Sequence, residues 1–332
     1  MMNETSGSGS SNSTLTAEET RLFFFDMTFH YVPTQGPSIA MAVVFAVLTL
    51  VHFMLAIRFH KGGRFMWIAV VSALFETLGY CCRYSVINVP GAWSYLFFII
   101  FTVVTPVLIA LINYIVVGKL LRISEHKIPI CCCWCCCSCC TLGASGLKCI
   151  FLFIDIVCAV CQTGGGVVMV VAFAMGNTTL SNIGSVCLLA GLVIQLVFFV
   201  AFAYVVSLII LEKKYMGPLH AKLGHPRVKS IFIGLTFTMV LLFIRNVYRI
   251  AEYTSGTDGY AVTHEWVFFT FESAPIALSF IGYAIWHFGY LLGDDDLLNN
   301  AVKFEVEMPA VPSSSSSQPQ GQAPPGYFDT SL

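Results

Sequence analysis

An all-α membrane protein, a bundle of seven transmembrane helices, is the fold class that this chain predicts. Three observations lead there. Of its 332 residues 57% are hydrophobic and only 11% charged, where a soluble domain carries roughly 25% charged residues. The mean hydropathy is +0.80. The apolar residues gather in long runs rather than in the alternating decamers of a membrane barrel.

Seven runs are long enough to cross a bilayer: Ser38–Arg58, Phe65–Asn88, Trp93–Leu121, Leu147–Met175, Ile183–Leu211, Val228–Tyr253 and Trp266–Leu292. Residues 1–37 before them are polar and Ser-rich, with no basic stretch ahead of an apolar one, so they are expected as an extracellular tail rather than a cleaved leader. Residues 38–292 form the transmembrane domain. Residues 293–332, with "PSSSSSQPQGQAPPG", are expected as a disordered cytoplasmic tail.

Lysine and arginine set the orientation. The loop after the first run holds Arg58, Lys61 and Arg64. The loop after the third holds Lys119, Arg122, Lys127 and Lys148. The loop after the fifth holds Lys213, Lys214, Lys222, Arg227 and Lys229. These loops are expected in the cytoplasm, which places the N-terminus outside and the C-terminus inside. The glycosylation sequons at Asn3, Asn12 and Asn177 all fall on the outer side of that arrangement. A multi-pass protein of the plasma membrane is expected. A net charge of −1 offers no basic field for nucleic acid.

Eight of the fourteen cysteines stand in "CCCWCCCSCC", at Cys131, Cys132, Cys133, Cys135, Cys136, Cys137, Cys139 and Cys140. Metal sites favour thiolates spaced to converge, and a reducing cytosol disfavours disulfides. Cytosolic cysteines beside a membrane are acceptors of S-acyl chains. Acylation is the favoured reading, with a plain membrane-hugging loop as its competitor. No metal and no cofactor is expected.

The chemistry-bearing residues lie inside the spans, where an ionisable side chain costs several kcal/mol unless it is paired. Glu76 and Arg83 are seven apart on the second span, and Asp155 and Gln162 seven apart on the fourth. The fifth carries Gln195. The sixth ends in "RNVYRIAE", which puts Arg245, Arg249 and Glu252 on one face. The seventh opens on Glu265 and carries Glu272 and Pro275. Helix spacing aims these groups at one outer half of the bundle, where they are expected to form interhelical salt bridges, a polar cavity, or both. Pro106 and Pro275 predict kinks, and Gly164–Gly166 a close helix approach.

The segments "YVPTQGPS" (Tyr31–Ser38), "ETLGYCCR" (Glu76–Arg83), "TPVLIALINYIVVGK" (Thr105–Lys119), "DIVCAVCQTGGG" (Asp155–Gly166), "GLVIQLVFF" (Gly191–Phe199), "RNVYRIAEYTSGTDG" (Arg245–Gly259) and "EWVFFTFESAP" (Glu265–Pro275) together resemble the fungal RTA-like family, also called lipid-translocating exporters. The R-x-x-Y-R-x-x-E segment followed by E-W is the most specific part. Glu272 stands where the family usually has Asp, and His287 precedes Phe288 where the family usually has Pro. The cysteine run is an addition. The resemblance implies movement of sphingoid long-chain bases or other amphiphiles and resistance to toxic ones. Its polar positions fall on Glu76, Arg83, Asp155, Gln162, Arg245, Arg249, Glu252, Glu265 and Glu272, and all of these except Glu265 are the candidate substrate-binding residues. Glu272 and Glu76 are the acids expected to be free for a substrate ammonium.

Two other classes fit seven spans. A receptor or lipid-stress sensor is the alternative, although the third span ends "NYIVVGK" without D-R-Y and the seventh lacks N-P-x-x-Y. An intramembrane metal hydrolase needs three convergent histidines, and only His52 and His287 lie inside spans. The chain carries no G-x-x-x-x-G-K-[ST] loop for a nucleotide. No enzyme is expected. The partner class is a membrane lipid or amphiphilic small molecule.

Overall fold

The computed structural model describes residues 17–60, 63–126, 128–130, 140–256 and 259–293. The helices run α1 (Ala17–Thr28), α2 (Gln35–Arg58), α3 (Trp67–Asn88, entered by a tight turn at Arg64–Met66), α4 (Ala92–Ser124), α5 (Ala144–Ala174), α6 (Thr178–Leu211), α7 (Lys213–Leu223), α8 (His225–Thr254), α9 (Tyr260–Thr263), α10 (Glu265–Phe268), α11 (Ala274–Ile285) and α12 (Phe288–Leu292). Seven helical segments are long and apolar enough to cross a membrane. They pack in sequence as a ring, α2 on α3, α3 on α4, α4 on α5, α5 on α6, α6 on α8 and α8 on α11, and α11 closes the ring on α2. At its N-terminal end α2, α4 and α6 begin and α3, α5 and α8 finish.

Each helix buries one stripe and gives the other face to lipid. On α8 the buried positions Val228, Ile231, Leu235, Thr238, Leu242 and Arg245 recur every three or four residues, so Arg245 continues the stripe that packs the core. Close approach of α5 and α6 rests on glycine. A Cβ at Gly165 would stand 2.6 Å from the Gly184 carbonyl oxygen, and one at Gly184 would stand 2.8 Å from that of Gly165. Nothing lies within 4 Å of a Cβ at Gly164, so the middle glycine of the triplet makes the contact.

Pro106 sits inside a helix that continues through it. Proline lacks the N–H that would bond the carbonyl four residues back. That carbonyl belongs to Thr102, and it accepts a hydrogen bond from Arg245 Nη2 at 3.2 Å. Pro275 acts differently. The turn Phe269–Ser273 just before it is a wide π-turn, and α11 starts at Ala274. The seventh span, expected as Trp266–Leu292 with a kink at Pro275, thus widens at the π-turn, and its helix ends at Ile285 and restarts at Phe288. The break falls at His287, whose Nδ1 accepts the Tyr290 N–H at 3.2 Å and so caps α12.

The segment assigned to a polar tail is partly folded. In α1, Phe25 is buried; Tyr95 Oη donates to the Thr28 carbonyl at 2.8 Å, and Arg21 Nη2 to that of Ile87 at 2.7 Å. That last bond places a cation on an open carbonyl in the final turn of α3. At the opposite end α7 buries Tyr215 and Leu219, and its Lys222 pairs with Glu125. That pairing holds the Glu125 carboxyl below its usual range. Strands β1 (Ile128–Ile130) and β2 (Cys140–Leu142) pair antiparallel, with Pro129 opposite Thr141. Cys131, Cys132, Cys133, Cys135, Cys136, Cys137 and Cys139 lie between them, outside the described residues, as do Asn3 and Asn12.

Candidate functional site

The last three turns of α8 carry Arg245, Arg249 and Glu252. At 1.5 Å per residue, Arg245 is about 14 Å below the helix end and Arg249 about 8 Å below it. Arg245 is 3% exposed and the Arg249 side chain 13%, so each needs a partner inside the bundle. Glu272 supplies both. Its Oε1 stands 2.5 Å from Arg245 Nη2 and 3.0 Å from Arg249 Nη2, and its Oε2 3.0 Å from Arg249 Nε. Arg249 Nη1 also donates to Glu252 Oε2 at 2.9 Å. The four side chains form one neutral cluster. It grades from Glu272, which is buried, to Glu252, whose side chain is 18% exposed.

Glu272 is thus held by two arginines, which corrects the expectation that it stands free. The π-turn contributes to this arrangement. A wider turn rotates the residues after it relative to those before it. In the same turn the Ser273 hydroxyl hydrogen-bonds Tyr80 of α3.

Arg83 forms a second knot near the N-terminal end. It is fully buried and sits within 4.8–5.9 Å of the ring centres of Phe29, Tyr31, Phe98, Phe268 and Phe269. Nη2 donates to Tyr31 Oη and to Glu265 Oε1, both at 2.9 Å, and Nε donates to Ser38 Oγ at 3.2 Å. Glu265 in turn accepts the Thr34 N–H at 3.1 Å and the Thr34 hydroxyl at 2.5 Å. One guanidinium thereby ties α3 to the segment between α1 and α2 and to α10. Burial pushes the Tyr31 phenol up, and the adjacent Arg83 opposes that rise.

Glu76 is buried on α3, and no ion pair reaches it among the described residues. Its neighbours are the Thr105 hydroxyl and, electrostatically, Glu272, Arg245 and Arg249.

Asp155 and Gln162 stand apart from these knots, so the single outer cluster expected from helix spacing is divided into separate sets. Asp155 Oδ2 accepts the Tyr114 hydroxyl at 2.6 Å, and Gln162 Nε2 donates to Gln195 Oε1 at 2.7 Å. These bonds join α4, α5 and α6 on the other side of the ring. His52 Nε2 is hydrogen-bonded at 3.0 Å to the Phe280 carbonyl. Among the described residues no three His, Cys, Asp or Glu side chains converge as metal ligands.

Beside the α8 cluster lies an apolar groove of about 300 Å³, lined by Phe243, Ile244, Val247, Tyr248, Val267 and Phe271. Tyr248 belongs to both. Its ring lines the groove, and its hydroxyl donates to Glu252 Oε1 at 3.3 Å. Sequence reasoning did not single out Tyr248, Thr102, Tyr31, Thr34 or Ser38. The signals for four of them were present in "RNVYRIAE" and "YVPTQGPS", while the role of Thr102 follows from Pro106.

The ring of apolar helices with buried, mutually paired charges defines a multi-pass integral membrane protein. The profile of the RTA1-like protein family matches residues 69–295, and the chain belongs to that family. It is 25% identical over 300 residues to "Protein RTM1" of Saccharomyces cerevisiae, covering 78% of this chain and 91% of that one. To "Probable lipid transporter atnI" of Emericella nidulans it is 23% identical, covering 80% of this chain and 68% of that one. To "Sphingoid long-chain base transporter RSB1" of Saccharomyces cerevisiae it is 25% identical, covering 78% of this chain and 72% of that one. No solved structure matches.

Proposed function

We propose that this protein moves amphiphilic lipids with a cationic amine head and a long apolar chain across the membrane. It does so as a transporter, without catalysis, in the plasma membrane. The single observation that carries the reading is Tyr248, which joins an apolar groove to a charged cluster within one side chain. The groove suits an alkyl chain. Glu252, reached from the groove through the Tyr248 hydroxyl, offers a carboxylate to an ammonium. Relatives named as a lipid transporter and as a sphingoid long-chain base transporter support the substrate class.

In this reading Glu252, Arg249 and Glu76 line the substrate path. Arg245 and Glu272 hold α8 to the seventh span, Arg83 latches the N-terminal end, and Asp155 and Gln162 tie α4, α5 and α6. The N-terminal end faces outward, residues 293–332 are cytoplasmic, and the cysteine run is acylated on the inner leaflet. The outward face rests on loop charge and on the sequons at Asn3, Asn12 and Asn177.

The experiment is efflux of a labelled sphingoid base from cells with and without the protein, beside a Val247→Trp variant that fills the groove. Expression should raise efflux, and the tryptophan should abolish most of that gain at unchanged surface level. Equal efflux with and without the protein rejects lipid transport. Full efflux by Val247→Trp rejects the groove as its path.

A further inference from the structure

Three arginines in the N-terminal half of the bundle have acids as partners. Arg83 is matched by Glu265, and Arg245 and Arg249 are matched by Glu272 and Glu252. Among the described residues of the spans in this half, Glu76 is the acid with no ion pair. It lies about 18 Å below the end of α3, near mid-bilayer, and is 2% exposed. Ionised, it would place an unmatched negative charge beside Glu272 in a buried site, at a cost of several kcal/mol.

Its polar neighbour Thr105 is hydrogen-bonded to backbone. The Thr105 hydroxyl has a single proton, and its Oγ1 donates to the Phe101 carbonyl at 3.0 Å. Thr105 brings no counter-charge to the Glu76 carboxyl. The other ionisable groups around Glu76 are already engaged. From α8 come Arg245 and Arg249, both on Glu272. From the π-turn comes Glu272 itself. On α3, Tyr80 is bound to Ser273 and Arg83 to Glu265. From α2 comes His52, bound to the Phe280 carbonyl. The α4 side chains at this level are the hydroxyls Thr102 and Thr105, and Thr102 Oγ1 donates to the Phe98 carbonyl.

We propose that Glu76 is a proton-binding site at which a proton and the substrate's ammonium compete, so that the protein exchanges one for the other. This rests on the amphiphile reading above. The empty site holds a neutral carboxylic acid. An ammonium that advances from Glu252 past Arg249 toward mid-bilayer brings one positive charge. The O–H bond of Glu76 then breaks, its electron pair stays on the carboxylate, and the proton leaves to water. Net charge in the buried site is the same before and after. The reverse step releases the amine when a proton returns. A pH difference across the membrane would thus drive amine movement without a nucleotide.

The test uses the full-length protein in nanodiscs of zwitterionic lipid, titrated with sphinganine in weakly buffered medium containing a pH indicator. A chain-matched alcohol is the control. Wild type should release about one proton per amine bound, and its apparent affinity should rise about tenfold per pH unit while the amine stays charged. The alcohol should release none. Glu76→Gln should remove both the release and the pH dependence. Infrared spectra guard against a variant that does not fold. Wild type should show a carboxylic-acid carbonyl band that disappears on adding sphinganine and shifts in Glu76→Asp. Amine binding without proton release, or absence of that band at neutral pH, overturns the exchange and leaves lipid transport standing. Failure of wild type to bind sphinganine overturns the substrate reading and the exchange with it.

Discussion

Removing Arg245 and Glu272 together should harm the bundle far less than the two single losses predict. In the wild type Arg245 is 3% and Glu272 1% exposed, and they meet at 2.5 Å. Two arginines and two acids make the cluster neutral. Arg245→Met leaves it with a net charge of −1, because Arg249 must then serve both Glu252 and Glu272. Glu272→Gln leaves it at +1, with Arg245 held only by the Thr102 carbonyl. Stranding one member of a buried pair costs about 3–5 kcal/mol. Additive behaviour would then cost the double variant about 6–10 kcal/mol, comparable to the whole stability of a folded domain. The double variant, however, keeps the neutral Arg249–Glu252 pair at 2.9 Å. Its loss should match that of one single variant, a coupling of about 3 kcal/mol, or roughly a hundredfold in the folding equilibrium. The assay is the fraction of monodisperse protein along a denaturant titration in detergent, for all four members of the cycle. A double variant whose loss equals the sum of the singles would refute charge balance as what holds α8 to the seventh span.

Arg83→Lys should keep the pair with Glu265 but lose the fork to Tyr31 and Ser38, so amide exchange over residues 29–38 should quicken while α4 and α8 stay protected; unchanged exchange would show that Arg83 is not the latch. Gly165→Ala should cost about 1–3 kcal/mol by pushing α6 away, whereas Gly164→Ala, with open space at its Cβ, should be neutral or stabilising by up to about 1 kcal/mol; thermal stability in detergent separates the two, and equal effects would contradict the contact. Glycosidase treatment should shift the mobility of the wild type but not of a variant lacking the sequons at Asn3, Asn12 and Asn177; glycans on a sequon engineered into residues 213–224 would invert the orientation.

The sequence alone determined the membrane bundle and most of its spans, because a run of about 20 apolar residues has few stable fates other than crossing lipid. It also determined that Arg245, Arg249 and Glu252 share a face, since helical periodicity is local. What it could not supply was rotation. Whether an acid meets an arginine depends on how each helix is turned about its axis, and packing among non-neighbouring segments fixes that. Glu272 therefore read as free yet binds two arginines, while Glu76, from the same kind of reading, has no counter-ion among the described residues. Asp155 and Gln162 had the right depth but sit across the ring. The π form of the Pro275 kink and the docking of α1 were hidden for a related reason. A π-turn is a compromise between Pro275 and its surroundings, and a 12-residue helix is too short to stand alone. Each exists because a tertiary surface stabilises it, and that surface is written in residues far away along the chain.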